Sequence, residues 1–306
     1  MKISALRAAE LAAPKQQRNW DWRAAANFIC GGAGGGLLFW AAFAGLDPVA
    51  LRVAVLLGLA LIAGGLTCVW FEIGRPWRAL NVYRHIATSW MTREAVVALL
   101  VFAAGGLALL TANALPALFA GVLGLGFLYS QARILAANKG IPAWRNRRSI
   151  PLMVATGLAE GAGFLACVLS LTSAGAGLPM LVGLIVLIGA RALFWHRYLG
   201  ALVADGAPDA TLKVLGGIAA RLAVFGHILP ALFVMAAVAG MPGRGGLVFV
   251  AGIMAVAGGW FLKFTLVRRA AYTQGLALQH MPMRGQGAAG AAAKPGWKAM
   301  PGAKAG

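Results

Sequence analysis

Apolar runs long enough to cross a hydrocarbon core alternate with short polar links along this chain. Windows of about 20 residues, at about 1.5 Å of helix rise each, cover a core of about 30 Å. Eight such windows lie near 24–45, 48–71, 94–110, 114–135, 151–171, 178–199, 215–239 and 247–266. The links around Asp47, Asn113, Ser173 and Pro242 are too short for anything but antiparallel neighbours. The pattern predicts an all-α polytopic membrane protein with eight transmembrane helices in antiparallel hairpins and both termini on one side. It divides the chain into an N-terminal segment 1–23, a membrane domain 24–268, and a basic Gly/Ala-rich tail 269–306 that is expected to be disordered. Residues 1–13 read equally as a short surface helix or a frayed end, and no internal repeat stands out.

One link breaks the pattern. From Glu72 to Glu94 the chain reads Glu-Ile-Gly-Arg-Pro-Trp-Arg-Ala-Leu-Asn-Val-Tyr-Arg-His-Ile-Ala-Thr-Ser-Trp-Met-Thr-Arg-Glu, with two carboxylates and the four arginines Arg75, Arg78, Arg84 and Arg93. The two glutamates are equidistant from residue 83, which predicts similar depths in the membrane. Structural readings exist for both: a solvated helix end for Glu72, and for Glu94 a favourable charge in the first turn of a helix capped by Thr92.

Composition narrows the class. Hydrophobic residues make up 60% and charged ones 11%, against about 25% charged in soluble domains. No cleavable leader is expected, because residues 1–23 are charged throughout and the first apolar run is too long. The net charge of +19 suggests nucleic acid until its placement is considered. All but Arg52 and Arg244 of the 27 Lys and Arg residues fall in or beside links on one side. The positive-inside rule then puts both termini and the arginine-rich link in the cytoplasm of a cell whose inner membrane the chain spans. Trp20, Trp22, Trp70, Trp77, Trp90, Trp144 and Trp195 cluster at the same ends, as an interfacial belt or as covers for a flat ligand. Cys30, Cys68 and Cys167 sit in apolar runs without metal-ligand spacing.

Ionisable groups inside a membrane are costly and so are functional candidates. Glu160 lies within the fifth window at the depth of Arg191 in the sixth, which predicts an ion pair across neighbouring helices. The pair is structural, or it conducts protons or lines a ligand site. His196 and His227 make the minimum for one bis-histidine haem, yet no haem or metal is expected on this chain. The basic link 136–150, with Arg145, Arg147 and Arg148, suits docking of a soluble subunit or contact with anionic headgroups.

The run Gly74, Pro76, Arg78-Ala79, Asn81, Arg84, followed by Ser89 and Glu94, resembles the signature of the membrane anchor subunit of dimethyl sulfoxide reductase. There the stretch reads His-Leu-Gly-x-Pro-x-Arg-Ala-x-Asn, then Arg, Ser and a Glu that opens the next helix. Arg133 leading to Pro142-Ala143-Trp144 and Pro151 is similar to that family's next connection. The resemblance implies an anchor that binds a ferredoxin-like iron–sulfur subunit and, through it, a molybdopterin catalytic subunit. It also implies an exchangeable menaquinol or ubiquinol site and no catalysis by the anchor alone. The family's functional histidine falls on Glu72, a departure, and its functional glutamate on Glu94. Glu72 and Glu94 are then expected to exchange protons with quinone, with Arg78, Asn81, Arg84, His85, Trp77 and Trp90 around the ring and Arg75, Arg145, Arg147 and Arg148 meeting the partner. Such reductases export their catalytic subunits, whereas the charge bias favours a cytoplasm-facing relative, such as a formate dehydrogenase-like enzyme. Two other classes remain: a transporter working through Glu160 and Arg191, and a structural anchor without quinone chemistry.

Overall fold

The computed structural model describes residues 13–73, 81–83, 85–172 and 175–275. Among the described residues, eight helices are long and apolar enough to span a membrane: α1 Trp22–Phe43, α2 Pro48–Glu72, α3 Trp90–Thr111, α4 Ala114–Ala137, α5 Ser149–Leu171, α6 Leu178–Ala204, α7 Asp209–Val238 and α8 Arg244–Arg269. All eight expected spans are present. Most run past their apolar windows because polar capping residues continue the helix. Ser89 opens α3 by accepting from the Thr92 N–H, so the cap is Ser89 and not Thr92. The Thr92 hydroxyl is spent on the Val82 carbonyl of the preceding link. Asp47 caps α2, accepting from Val49 N at 2.9 Å with Pro48 in the first turn, and Asn113 caps α4.

The helices close into two rings of four. α1 packs on α2 and α4, and α3 bridges those two; α5 packs on α6 and α8, and α7 bridges that pair. The rings join where α1 lies against α5, which is the most enclosed span, 83% of its central window being inside.

Glycine explains why α1 is central. Lipid gives helices no hydrophobic reason to associate, so close backbone approach at small residues must hold them together. Gly34, Gly35 and Gly36 are consecutive, about 100° apart around the helix, and each meets a different neighbour. A methyl on Gly34 would sit 2.5 Å from the Gly58 carbonyl of α2, and one on Gly35 2.5 Å from the Gly124 carbonyl of α4. On Gly36 it would strike the Gly157 carbonyl of α5, and on Gly161 the Gly36 and Leu37 main chain. Gly161→Ala is therefore expected to cost about 1–3 kcal/mol, read as a lower thermal midpoint of the purified protein. Gly64→Ala, which points into open space, is the matched control and should change nothing.

Among the described residues, three π-helical turns interrupt the spans, at Asn27–Gly31, Leu222–Ile228 and Thr265–Arg269. In each, a main-chain carbonyl accepts from a side chain elsewhere in the bundle: Asn27 from Gln131 Nε2 at 3.0 Å, Gly226 from Arg191 Nη2, and Leu266 from Trp144 Nε1 at 3.0 Å. A widened turn frees carbonyls for such bonds.

Lys15–Gln17 runs antiparallel to Ala271–Thr273, with Gln17 N to Ala271 O and Thr273 N to Lys15 O both at 2.8 Å. The two ends of the described chain therefore meet at one end of the bundle, called here the near end, together with the links between α2 and α3 and between α4 and α5. The near end has its own core of Phe28, Trp144, Leu152, Trp195, Tyr198 and Leu266. Trp144 and Trp195 are buried in it and Trp20 stacks on Trp144 at 4.6 Å, so these three are packing residues and not a lipid belt; Trp22 and Trp70 are exposed as a belt requires. The two off-pattern arginines cap main chain at the far end: Arg52 donates to Leu109 O at 3.2 Å and Arg244 to Ala176 O at 2.9 Å.

Candidate functional site

Glu94 lies one turn inside α3, which Ser89 starts and Thr92 ties to the link at Val82. Its side chain is buried at 6% exposure. α3 leaves it facing the first turns of α1, where the Asn27 amide donates to Oε1 at 3.4 Å. Gln131 of α4 stands beside the same carboxyl and donates to the Asn27 carbonyl freed by the π turn. A carboxyl, a carboxamide and a second carboxamide from three helices thus form one buried polar cluster at the near end. Asn27 Oδ1 and Gln131 Oε1 are both buried without a hydrogen-bond partner among the described residues. Buried unpaired acceptors are rare enough in proteins to point to a further donor, a water or a ligand hydroxyl.

Glu72, the last residue of α2, is half-buried, and its Oε1 is also without a partner among the described residues. The Asp21 main chain and the Arg23 guanidinium lie beside it. Arg23 fastens this corner: it pairs with Asp21 at 2.8 Å and donates to the Phe71 carbonyl at 2.5 Å, and its hydrogen bonds hold the Asp21 carboxyl below its usual range. The two candidate carboxylates therefore flank the start of α1, but at different depths. Glu72 is at the rim and Glu94 a turn inside, because Glu72 ends its helix while α3 begins at Trp90, before Glu94.

Of the remaining expected site residues, Arg75, Trp77, Arg78 and Arg84 lie outside the described residues. Asn81 and His85 are exposed in the short helical turns of the link. Trp90 is half-buried, but guanidinium groups occupy its ring: Arg93 at 4.3 Å and Arg133 at 4.4 Å from the centroid. That stacking takes the surface on which a flat ligand was expected to rest. Arg145, Arg147 and Arg148 are exposed at the near end.

The expected Glu160–Arg191 pair is replaced by another. Glu160 Oε2 is 2.5 Å from Lys263 Nζ of α8, both side chains wholly buried. Arg191 donates instead to Ala255 O at 2.8 Å, to Gly226 O, and through Nε to His227 Nε2 at 3.2 Å. Depth matching compares only helices adjacent in sequence, and α8 reaches α5 by closing the ring. Lys263 and Arg191 accordingly belong to the bundle interior and not to the near-end links among which the charge pattern counts them.

Asn27 and Gln131 were missed by sequence reasoning, which followed charge. Their signal was available: isolated carboxamides inside apolar runs need partners as surely as charges do.

A family model described as DMSO reductase anchor subunit (DmsC) matches residues 44–239, well over half of the chain. The match takes in Glu72, Glu94, Gln131, Glu160 and Arg191 and ends before Lys263. No curated protein matches the chain.

Proposed function

Because the chain belongs to the DMSO reductase anchor subunit family, we propose that it binds an exchangeable quinone or quinol beside Glu94 and passes electrons between it and a docked iron–sulfur subunit. The chain is a multi-pass membrane anchor subunit of a DMSO reductase-type complex. Membership also implies association with the catalytic and iron–sulfur subunits of such a complex.

The observation that carries the reading is the Glu94–Asn27–Gln131 cluster, with its two acceptors unpaired among the described residues, at the end of the bundle where Thr92 bonds Val82. Quinol hydroxyls donate and quinone oxygens accept, which suits residues that include carboxamides able to do both. When bound, a quinol supplies two electrons and two protons. Glu94 Oε1 or Oε2 holds the proton in transit. Asn27 Nδ2 orients that carboxyl. Gln131 fixes Asn27 through its carbonyl and keeps its own Oε1 open. Glu72, at the rim, is placed to exchange a proton with water once the deeper carboxyl has moved it inward or outward. Arg148, exposed at the same end, presents a cation to the partner subunit.

By the charge bias, the near end and both termini face the cytoplasm, which requires a catalytic partner there. An alkaline phosphatase fused after residue 306 is then expected to be inactive and a fluorescent protein at the same position bright. The reverse result rejects the orientation while leaving the quinone site untouched.

A further inference from the structure

At the near end, the start of α3, the end of α4 and the link into α5 line an open cavity of about 430 Å³ that the proposed electron transfer does not use. Arg133, Arg145 and Arg147 enter it, Trp90 forms one wall, and Ala136, Ala137 and Ile150 form the apolar part. Three guanidinium groups converge there, and no carboxylate among the described residues lines the space. Two of them are held in place by neighbours. Arg133 stacks on Trp90 and donates to the Tyr129 hydroxyl at 2.8 Å, and Arg145 donates to Lys139 O at 2.9 Å and to Gln274. A guanidinium carries five N–H groups, so each keeps donors for a ligand. Like charges gathered in a concave site repel unless an anion joins them, and forked donors match phosphate oxygens.

The surroundings favour one anion. Tyr129, 40% exposed, accepts from Arg133, and Val122, two turns before it on the same face of α4, is an exposed apolar residue, as is Leu100 on α3. We propose that this cavity binds the phosphate of an anionic phospholipid, with the headgroup among Arg133, Arg145 and Arg147 and the acyl chains along α3 and α4. Arginines at the helix ends with Trp and Tyr beside them are the groups that recognise such headgroups. The assignment is independent of the quinone reading.

The test uses the full chain purified with its partner subunits and stripped of lipid. Brominated phosphatidylglycerol quenches nearby tryptophan, and the difference from a Trp90→Phe sample isolates the Trp90 signal. Quenching by phosphatidylglycerol is expected at about tenfold or more lower concentration than by brominated phosphatidylcholine, each arginine near a headgroup contributing about fivefold. The Arg133→Gln/Arg145→Gln/Arg147→Gln variant should lose this preference, and the corresponding triple lysine variant should keep part of it, which separates charge loss from misfolding. Equal quenching by the two lipids, or an unchanged preference in the glutamine variant, overturns the proposal. Relief of quenching by millimolar inorganic phosphate overturns the lipid and assigns free phosphate. Loss of the iron–sulfur subunit from the glutamine variant with the lipid preference intact gives the cavity to an acidic segment of that partner.

Discussion

Glu94→Gln is expected to lower quinol-dependent turnover of the assembled complex by about a hundredfold, the lower end of what a positioned proton acceptor contributes. Glutamine preserves the volume of the side chain and an oxygen for the Asn27 amide, so the packing between α1, α3 and α4 survives. It removes only the capacity to take up a proton. Turnover driven by a water-soluble electron donor that reaches the catalytic subunit directly should be unchanged, as should the stoichiometry of the subunits. That pair of measurements separates a lost quinone site from a lost complex. Unchanged quinol turnover would leave the protein as an anchor without proton chemistry at this position.

The second large effect concerns stability. Lys263→Met strands the Glu160 carboxylate, whose Oε1 already lacks a partner among the described residues, in a wholly buried site between α5 and α8. Removing one member of a buried pair typically costs about 3–5 kcal/mol, whereas replacing both with apolar groups of similar volume is often neutral or better. Glu160→Leu combined with Lys263→Met should therefore recover most of the loss, measured as resistance of the purified complex to heat or denaturant. A Lys263→Met protein as stable as the unaltered chain would show that the two side chains carry no opposite charges in the membrane. Arg191 is not positioned to take over, since its guanidinium already serves Ala255, Gly226 and His227.

The two pairings that define the interior, Asn27 with Gln131 and Glu160 with Lys263, join residues 104 and 103 positions apart. Neither links helices adjacent in the chain. Counting depth from a turn identifies partners across one hairpin, which is why Arg191 looked right for Glu160. The same reasoning found Glu94 and Glu72 as carboxylates at the mouth of the bundle, because charge at a membrane boundary is costly enough to be conspicuous in a chain with few acids. Carboxamides and π turns leave a fainter trace. Asn27 gains its role from a main-chain distortion whose cause is tertiary: the freed carbonyl is answered by a side chain from another helix.

By itself the sequence determined the number of spans and exposed the polar link between Glu72 and Glu94. Both follow from the free energy of moving a residue between water and hydrocarbon, which adds up along the chain and needs no knowledge of neighbours. Only the tertiary structure decided which helices close each ring, which buried charges meet, and which polar atoms remain unpaired beside Glu94. Those depend on how closely two backbones approach at Gly34, Gly35, Gly36 and Gly161, a property of surfaces in contact and not of any segment alone.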